Sequence, residues 1–213
     1  MGIYELSIKR PFTDFKKLGI GLLFNILPIL NFFAVGYALR CSQLSMKNNF
    51  EMPSWEKKDE LFKNGLFSFL ISFIYGMPFI LLSLILFFQV LIKFNLSEIQ
   101  NKEYSIQFFK DTIVNNLTGF ILVSLLFILI MYVTPSAIMN FINKNKFSKA
   151  FEFSTVFKKA FTRKYFITIL LMFLYSFILY FLFSFIPYIG GIISTFLIYV
   201  SSYSAYGAIY NRL

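Results

Sequence analysis

The residues of this sequence that could do chemistry inside a membrane are uncharged amides and one helix-breaking motif, Gly76-Met77-Pro78. Proline removes a backbone donor and clashes with the preceding turn. A helix broken at mid-membrane exposes carbonyl groups, which many transporters use to bind substrate. The amides that could add uncharged contacts are Asn25, Asn31, Gln89, Asn115 and Asn116. This combination indicates a channel or transporter; the alternative is a kinked structural helix with polar groups near its ends.

Catalytic chemistry has little to build on in this sequence. There is no histidine and only one cysteine, Cys41, which excludes a thiolate–imidazole pair, a His-based metal site and an intrachain disulfide. No charged residue lies inside the long apolar runs, where an ionisable side chain would mark function. Hydrogen bonding to a preceding turn or a neighbouring helix is the expected role of the hydroxyls of Ser83, Ser124, Ser184, Ser194 and Ser202. We predict no catalytic residues, no metal, no cofactor and no enzymatic activity.

Four long stretches of the chain contain no Asp, Glu, Lys, Arg or His. They are residues 18–39, 64–92, 112–143 and 165–211. A transmembrane helix needs about 20 apolar residues to cross a hydrocarbon core about 30 Å thick, and each stretch reaches that length. Hydrophobic residues make up 58% of the chain and charged residues only 14%, whereas a soluble domain carries about a quarter charged residues. The sequence therefore predicts a multi-pass membrane protein surrounded by the lipid bilayer.

The predicted fold is all-α: one polytopic transmembrane helical bundle, residues 1–213, with five to six helical segments. Proline and glycine are expected to break or end these helices. The expected breaks are Pro28, Gly76, Pro78, Pro135, Pro187, Gly190 and Gly191. The predicted segments are an interfacial N-terminus at 1–17, a Pro-broken hairpin or span at 18–39, spans at 64–92, 112–141, 165–186 and 192–210, and an amphipathic elbow helix at 147–161.

The distribution of positive charge indicates how the first apolar run crosses the membrane. The net charge of +10 comes from basic residues at the ends of the apolar runs rather than from a stripe that could bind nucleic acid. If residues 18–39 form one span, 13 basic residues lie on one side and 7 on the other; if they form a hairpin, the counts are 17 and 3. The positive-inside rule prefers the hairpin, with both termini in the cytoplasm. Residues 18–27 are too short to span alone, so two short oblique or re-entrant helices meeting at Pro28 are favoured.

Four short motifs in the first half of the chain resemble one known family. They are Gly36-Tyr-Ala-Leu-Arg40, Met52-Pro-Ser-Trp55, Leu61-Phe-Lys-Asn-Gly-Leu66 and Ile74-Tyr-Gly-Met-Pro78. Their order resembles a prokaryotic, largely archaeal, membrane family catalogued as domain of unknown function number four thousand and thirteen. The resemblance covers roughly residues 10–90 and implies a multi-pass membrane fold without an assigned activity. The chain departs from the family pattern after Trp55, where Lys57 and Lys58 replace acidic residues.

The segment at 147–161 has the pattern of a helix lying in the plane of the membrane interface, or of a cytosolic elbow between two spans. Its apolar side is expected to carry Phe147, Ala150, Phe151, Phe157 and Phe161, and its polar side Ser148, Glu152, Thr155 and Lys159. Trp55, together with Tyr4, Tyr37 and Tyr104, is expected to anchor the chain at the lipid interface.

Several features bear on partners and topology. Ser194, Ser201, Ala205 and Ala208 form a small-residue face that predicts intrachain helix packing, with homo-oligomerisation as the alternative. Asn95 and Asn116 match the glycosylation pattern. Cys41 is expected to react with a membrane-impermeant reagent only after the membrane is opened.

The leading hypothesis for function is a non-enzymatic membrane scaffold or accessory component, alone or with a membrane-protein partner. The alternative is a channel or transporter for a small or lipid-like substrate.

Overall fold

A computed structural model of the chain describes residues 2–93 and 102–213, except the side chains of residues 93, 102 and 105. All regular elements in these two ranges are helices, so the all-α prediction is confirmed. The α-helices are α1 (Ile3–Lys9), α2 (Phe15–Phe24), α3 (Pro28–Ser45), α4 (Lys58–Lys93), α5 (Lys102–Lys144), α6 (Phe153–Ala160), α7 (Arg163–Phe183) and α8 (Ile189–Tyr210). Two 3-10 turns, Arg10–Thr13 and Phe147–Phe151, join α1 to α2 and α5 to α6.

The described residues form two compact units. The first unit contains residues 1–71 and 132–213, and the second contains residues 72–131. Two very long helices, α4 and α5, cause this division because each contributes residues to both units. The second unit is a pair of helical segments in which the ring centroids of Phe79 and Phe127 lie 5.1 Å apart.

Within the described part of the chain, four helices are long and apolar enough to cross a membrane: α4, α5, α7 and α8. Few residues in the most apolar parts of α4, α5 and α7 are buried by protein, whereas most of those in α8 are. Exposed apolar side chains on this scale require lipid around them. The chain is therefore a membrane protein in which α8 is the central helix of the first unit.

The first apolar run contains two helices that enter and leave the first unit at the same end. Helix α2 ends before Asn25, and Pro28 occupies the first turn of α3. At the break, Asn25 contacts the carbonyl of Ile192 near the start of α8, whereas Arg10, before α2, contacts Ser204 near the end of α8. About 18 Å of helix α8 separates these two contact points. The α2–α3 pair is therefore a hairpin that runs along most of α8 and returns.

The prediction that Gly76, Pro78 and Pro135 break their helices is wrong. Helix α4 continues through Pro78, and α5 continues through Pro135. A proline inside a helix removes one backbone hydrogen bond, but the many bonds on either side persist because lipid offers the backbone no other partner. Near Pro135, the Tyr165 hydroxyl donates to the carbonyl oxygen of Tyr132 at 2.9 Å.

The reversal between α7 and α8 lies at residues 184–188 and contains Pro187. Its sharpest feature is Tyr188, which precedes α8 with a φ of 63°. Gly190 and Gly191 lie within the first turn of α8 rather than in the reversal itself. The turn therefore begins earlier than the paired glycines indicated, and Tyr188 rather than a glycine is the residue with a positive φ.

The elbow at 147–161 is not one amphipathic helix. The 3-10 turn ends at Phe151, Glu152 has a non-helical backbone, and α6 begins at Phe153. The change of direction at Glu152 rotates the helical face, so α6 buries Val156 and Ala160 against the protein. Three aromatic side chains of this region are exposed: Phe153, Phe157 and Phe161.

The small-residue face of α8 is buried inside the chain. Ser194, Ser201 and Ala205 have no exposed surface, and Ala208 is 3% exposed. The close approach that these residues allow is used within the first unit, where a Cβ at Gly207 would lie 2.3 Å from the carbonyl oxygen of Ser42 in α3. This face is therefore not free to join two copies of the chain.

Candidate functional site

Helices α3 and α4 cross in backbone contact through two glycines. A Cβ at Gly36 would lie 1.8 Å from the carbonyl oxygen of Leu61, and a Cβ at Gly65 would lie 1.9 Å from that of Phe32. Any larger side chain at either position would push the helices apart. The crossing is closed on one side by Phe62, whose ring centroid lies 5.7 Å from that of Phe32.

An aromatic stack lies beside this crossing. The rings of Tyr37 and Trp55 are nearly parallel, with centroids 3.9 Å apart, and Phe24 stacks on Trp55 at 5.2 Å. Trp55 is only 9% exposed, and its indole N–H donates to the carbonyl oxygen of Lys17. The prediction of Trp55 as an interfacial anchor is therefore wrong, because its ring packs against protein and cannot reach lipid headgroups. The prediction that Tyr37 anchors the chain at the lipid interface is wrong for the same reason, because Tyr37 has no exposed surface.

The connection between α3 and α4, residues 46–57, is fixed by side chains that donate to its backbone carbonyls. The Tyr37 hydroxyl donates to Pro53 at 2.9 Å, and the Lys17 ammonium donates to Met52 at 2.8 Å. Backbone carbonyls that would otherwise need water are satisfied in this way. The connection is an ordered cap over the end of the first unit.

Arg10 lies at the centre of this end and has no exposed surface. Its Nη1 donates to the carbonyl oxygen of Cys41 at 2.7 Å, to the hydroxyl of Ser45 at 2.7 Å and to that of Ser204 at 3.1 Å. Its Nη2 donates to the carbonyl oxygen of Glu51 at 2.5 Å. One side chain thus joins the N-terminal segment to α3, the cap and α8.

The charge of Arg10 is compensated by dipoles rather than by a carboxylate among these partners. Cys41 and Ser45 belong to the last turns of α3, where the negative end of the helix dipole favours a cation. Burial lowers the pKa of the Arg10 guanidinium, since it penalises the charged form. Cys41 itself is fully buried. The prediction that this thiol reacts with an impermeant reagent once the membrane is opened is therefore wrong. Protein shields the thiol whichever side the reagent comes from.

Arg10 was not singled out from the sequence. It is one of four basic residues in the first 17, and the other three are lysines. The five donors of a guanidinium match several fixed acceptors, which a single ammonium cannot do. The choice of Arg over Lys at this position is the one sequence signal that could have identified it.

A profile of the family described as "Protein of unknown function (DUF4013)" matches residues 20–188. The chain belongs to this family. None of the curated proteins and none of the solved structures compared with the chain matches it.

Three of the four motifs that resemble the family meet at the α3–α4 crossing, and the fourth, residues 74–78, belongs to the second unit. Gly36 and Gly65 form the backbone contact, and Tyr37 and Trp55 form the aromatic stack. Three motifs of this DUF4013 chain thus form one packed junction: two close helices and the cap that joins them.

The amides proposed to contact a substrate differ in their surroundings: some are hydrogen-bonded within the protein, one lines a cavity and one is exposed. Asn25 donates to the carbonyl oxygen of Ile192 at 2.8 Å, and Asn31 donates to the Asn25 side-chain oxygen at 2.9 Å. Asn116 donates to the carbonyl oxygen of Thr112 one turn earlier, and Asn115 lines a shallow cavity with Thr112 near the start of α5. Gln89 is exposed on α4. Asn25 and Asn31 are hydrogen-bonded to each other, and Asn25 is also bonded to α8. Of the two asparagines that match the glycosylation pattern, Asn95 lies outside the described residues.

A second polar network joins the elbow to α5 and α8. Asn140 donates to the carbonyl oxygen of Lys149 at 2.7 Å, and its side-chain oxygen accepts from the Tyr210 hydroxyl at 2.7 Å. Lys159 donates to the carbonyl oxygen of Tyr210 and lies over its ring at 3.7 Å. Burial lowers the pKa of Lys159, and a hydrogen bond from Lys149 lowers the pKa of Glu152.

Among the five serine hydroxyls expected to bond to a preceding turn or a neighbouring helix, that of Ser83 is buried without a partner in the described part of the chain. Ser184 and Ser194 donate to carbonyl oxygens three residues earlier, those of Phe181 and Gly191. Residues 2–93 and 102–213 also contain no group of three Cys, Asp or Glu side chains that could hold a metal ion.

Proposed function

We propose that this membrane protein is a non-enzymatic scaffold or accessory component with both termini in the cytoplasm. The observation that carries the proposal is the engagement of its interior amides. Asn25 and Asn31 tie the tip of the α2–α3 hairpin to α8 through hydrogen bonds of 2.8 and 2.9 Å. Amides used in this way rigidify the first unit and are not left to coordinate a solute.

The alternative, a channel or transporter, loses its main support. It was based on a helix broken at Gly76-Met77-Pro78, and α4 is continuous there. A continuous helix keeps its carbonyls in internal hydrogen bonds and offers few to a substrate.

The cytoplasmic assignment combines geometry with charge. Contacts of Arg10 with Ser45, Glu51 and Ser204 gather the N-terminal segment, the cap and the end of α8 at one end of the first unit. With the first run folded as a hairpin, 17 of the 20 basic residues belong to segments on this side. By the positive-inside rule, this is the cytoplasmic side.

Two measurements on the purified chain test the proposal. In proteoliposomes, we expect no flux of small solutes and no transfer of labelled lipid between leaflets above that of protein-free vesicles. Extracted from its own membrane into lipid nanodiscs, the chain should be found in a complex of defined stoichiometry, with a membrane-protein partner or a second copy. Flux that is lost in Asn31→Ala and retained in Lys16→Gln would refute the scaffold proposal in favour of transport.

A further inference from the structure

A second pocket opens at the cytoplasmic end of the first unit, between the end of α3, the start of α4 and the end of α5. Its volume is about 400 Å³. Arg40 and Lys47 come from α3 and the cap, Lys57 precedes α4, and Asn143 and Asn145 come from the end of α5 and the residue after it. All of these residues belong to the first unit.

The pocket carries more positive than negative charge. Arg40, Lys47 and Lys57 face a single acidic residue, Glu60. None of these four side chains has a hydrogen bond or ion pair within the described part of the chain. The three cations are therefore uncompensated, in contrast to Lys9 and Lys17, which pair with Glu5 and Asp14.

Arg40 gives the clearest sign of a missing partner. Its Nη1 is shielded from solvent and has no acceptor. A buried donor on a charged group is costly to leave unpaired, and a guanidinium fork matches the oxygens of a phosphate. Lys47 and Lys57 are exposed at the opening of the pocket, so their ammonium groups can reach an anion bound inside it.

We propose that this pocket binds a phosphate group, supplied by the headgroup of an anionic phospholipid. The pocket lies level with the ends of three candidate spans, since those spans begin at Lys58 and end at Lys144 and Tyr210. That is the depth of lipid headgroups, and basic pockets between transmembrane helices on the cytoplasmic side are suited to them. Glu60 complements a headgroup that carries a hydroxyl beside its phosphate, because a carboxylate accepts from such a donor. This inference uses the cytoplasmic orientation proposed above but does not depend on the scaffold role.

The test is lipid binding by the full chain in delipidated detergent solution. Phosphatidylglycerol supplies both a phosphate and hydroxyls and should raise the Tm in a saturable way, whereas phosphatidylcholine should not. Inorganic phosphate is the second arm. If phosphatidylglycerol raises the Tm and inorganic phosphate does not, the site binds a lipid headgroup. If only inorganic phosphate raises the Tm, the site binds a soluble phosphate compound and the lipid assignment is wrong. No stabilisation by either probe overturns the site.

Variants separate binding from folding. Arg40→Gln and Lys57→Gly should each weaken phosphatidylglycerol binding about tenfold. Lys57 has a φ of 55°, so glycine relieves backbone strain at the same time as it removes the charge. The Tm of Lys57→Gly without lipid should therefore be unchanged or higher. Lys16→Gln removes an exposed charge at the same end but outside the pocket and should bind normally. Equal affinities in native chain, Arg40→Gln and Lys57→Gly would overturn the proposal.

Discussion

The guanidinium of Arg10 donates to the carbonyl oxygen of Cys41 at 2.7 Å, across 31 residues of sequence. Because this bond reaches the last turns of α3, it links the N-terminal segment to the returning arm of the hairpin. The same side chain also donates to Ser204 of α8. The first unit is therefore held at its polar end by one buried cation that three separate parts of the chain surround.

Replacing Arg10 should destabilise the first unit strongly. Arg10→Met removes the charged donor to the carbonyl oxygens of Cys41 and Glu51 and to the Ser45 hydroxyl, and we expect a loss of about 3 kcal/mol or more. Arg10→Lys keeps the charge but cannot reach all of these acceptors, so its loss should be intermediate. Thermal unfolding in detergent measures both, with Lys9→Met as the exposed control. A Tm of Arg10→Met equal to that of the control would contradict the role given to this residue.

A methyl group at Gly36 should force α3 and α4 apart. Its Cβ would lie 1.8 Å from the carbonyl oxygen of Leu61, and such overpacking costs about 1–3 kcal/mol. Gly19→Ala is the matched control, because a Cβ there meets nothing within 4 Å. In a helix this control should be neutral or gain about 0.5–1 kcal/mol. If both variants have the same Tm, the close crossing does not exist as described.

The N-cap of α2 should make stability depend on pH in the acid range. Asp14 accepts from the backbone N–H of Lys17 at 3.0 Å, and this bond, with the Lys17 side chain, lowers the pKa of Asp14 below its ordinary value of 3.8. A carboxylate with a lowered pKa stabilises the fold above its unfolded pKa, and that contribution is lost as pH falls through the folded pKa.

Asp14→Asn tests this dependence because asparagine can still cap the helix but does not titrate. The native Tm should exceed that of Asp14→Asn by a few degrees at about pH 6. The difference should shrink towards about pH 3. A difference that is constant across this range would mean that the carboxylate charge contributes nothing.

Tyr210 should contribute through its hydroxyl. Tyr210→Phe removes the donor to the side-chain oxygen of Asn140 at 2.7 Å and leaves a buried acceptor unpaired. We expect a loss of about 1–3 kcal/mol. Tyr188→Phe is the control because Tyr188 is 96% exposed. Equal unfolding temperatures for the two variants would show that the network at the elbow is not formed in solution.

Cysteine labelling can determine the topology once Cys41 is set aside. In the native fold, Cys41 should resist a membrane-impermeant maleimide both before and after the membrane is opened, and should react only after denaturation, because its side chain is fully buried. In a Cys41→Ala background, Ser184→Cys should react in intact cells, since residue 184 lies exposed in the α7–α8 reversal. Ser148→Cys, exposed in the elbow, should react only after opening. Reaction of both positions from one side would contradict the assignment of the termini to the cytoplasm.

The long apolar helices could be predicted from the sequence, but their continuity could not. An uncharged stretch of sufficient length identifies α4, α5, α7 and α8 whatever they pack against. Whether Pro78 and Pro135 break their helices depends on the side chains packed around each proline, such as Tyr165, whose hydroxyl bonds to the turn before Pro135. Such a partner is distant in sequence and has no local signature.

Tertiary packing likewise determines which aromatic and basic residues are buried. Trp55 has the composition and position of an interfacial anchor, and only the approach of Tyr37 and Phe24 buries it. Arg10 resembles its basic neighbours in sequence, and only the return of α3 and α8 surrounds it with acceptors.

The sequence by itself determined the membrane location, the helical class and the family, because hydrocarbon thickness and backbone hydrogen bonding leave an uncharged run few alternatives. The tertiary structure alone decided which polar groups are engaged and which are free. Asn25 and Asn31 are satisfied by α8 and by each other, whereas Arg40 retains an unpaired donor in a basic pocket. Engagement depends on distances of about 3 Å between atoms far apart in the chain, and these distances are set only when the helices pack.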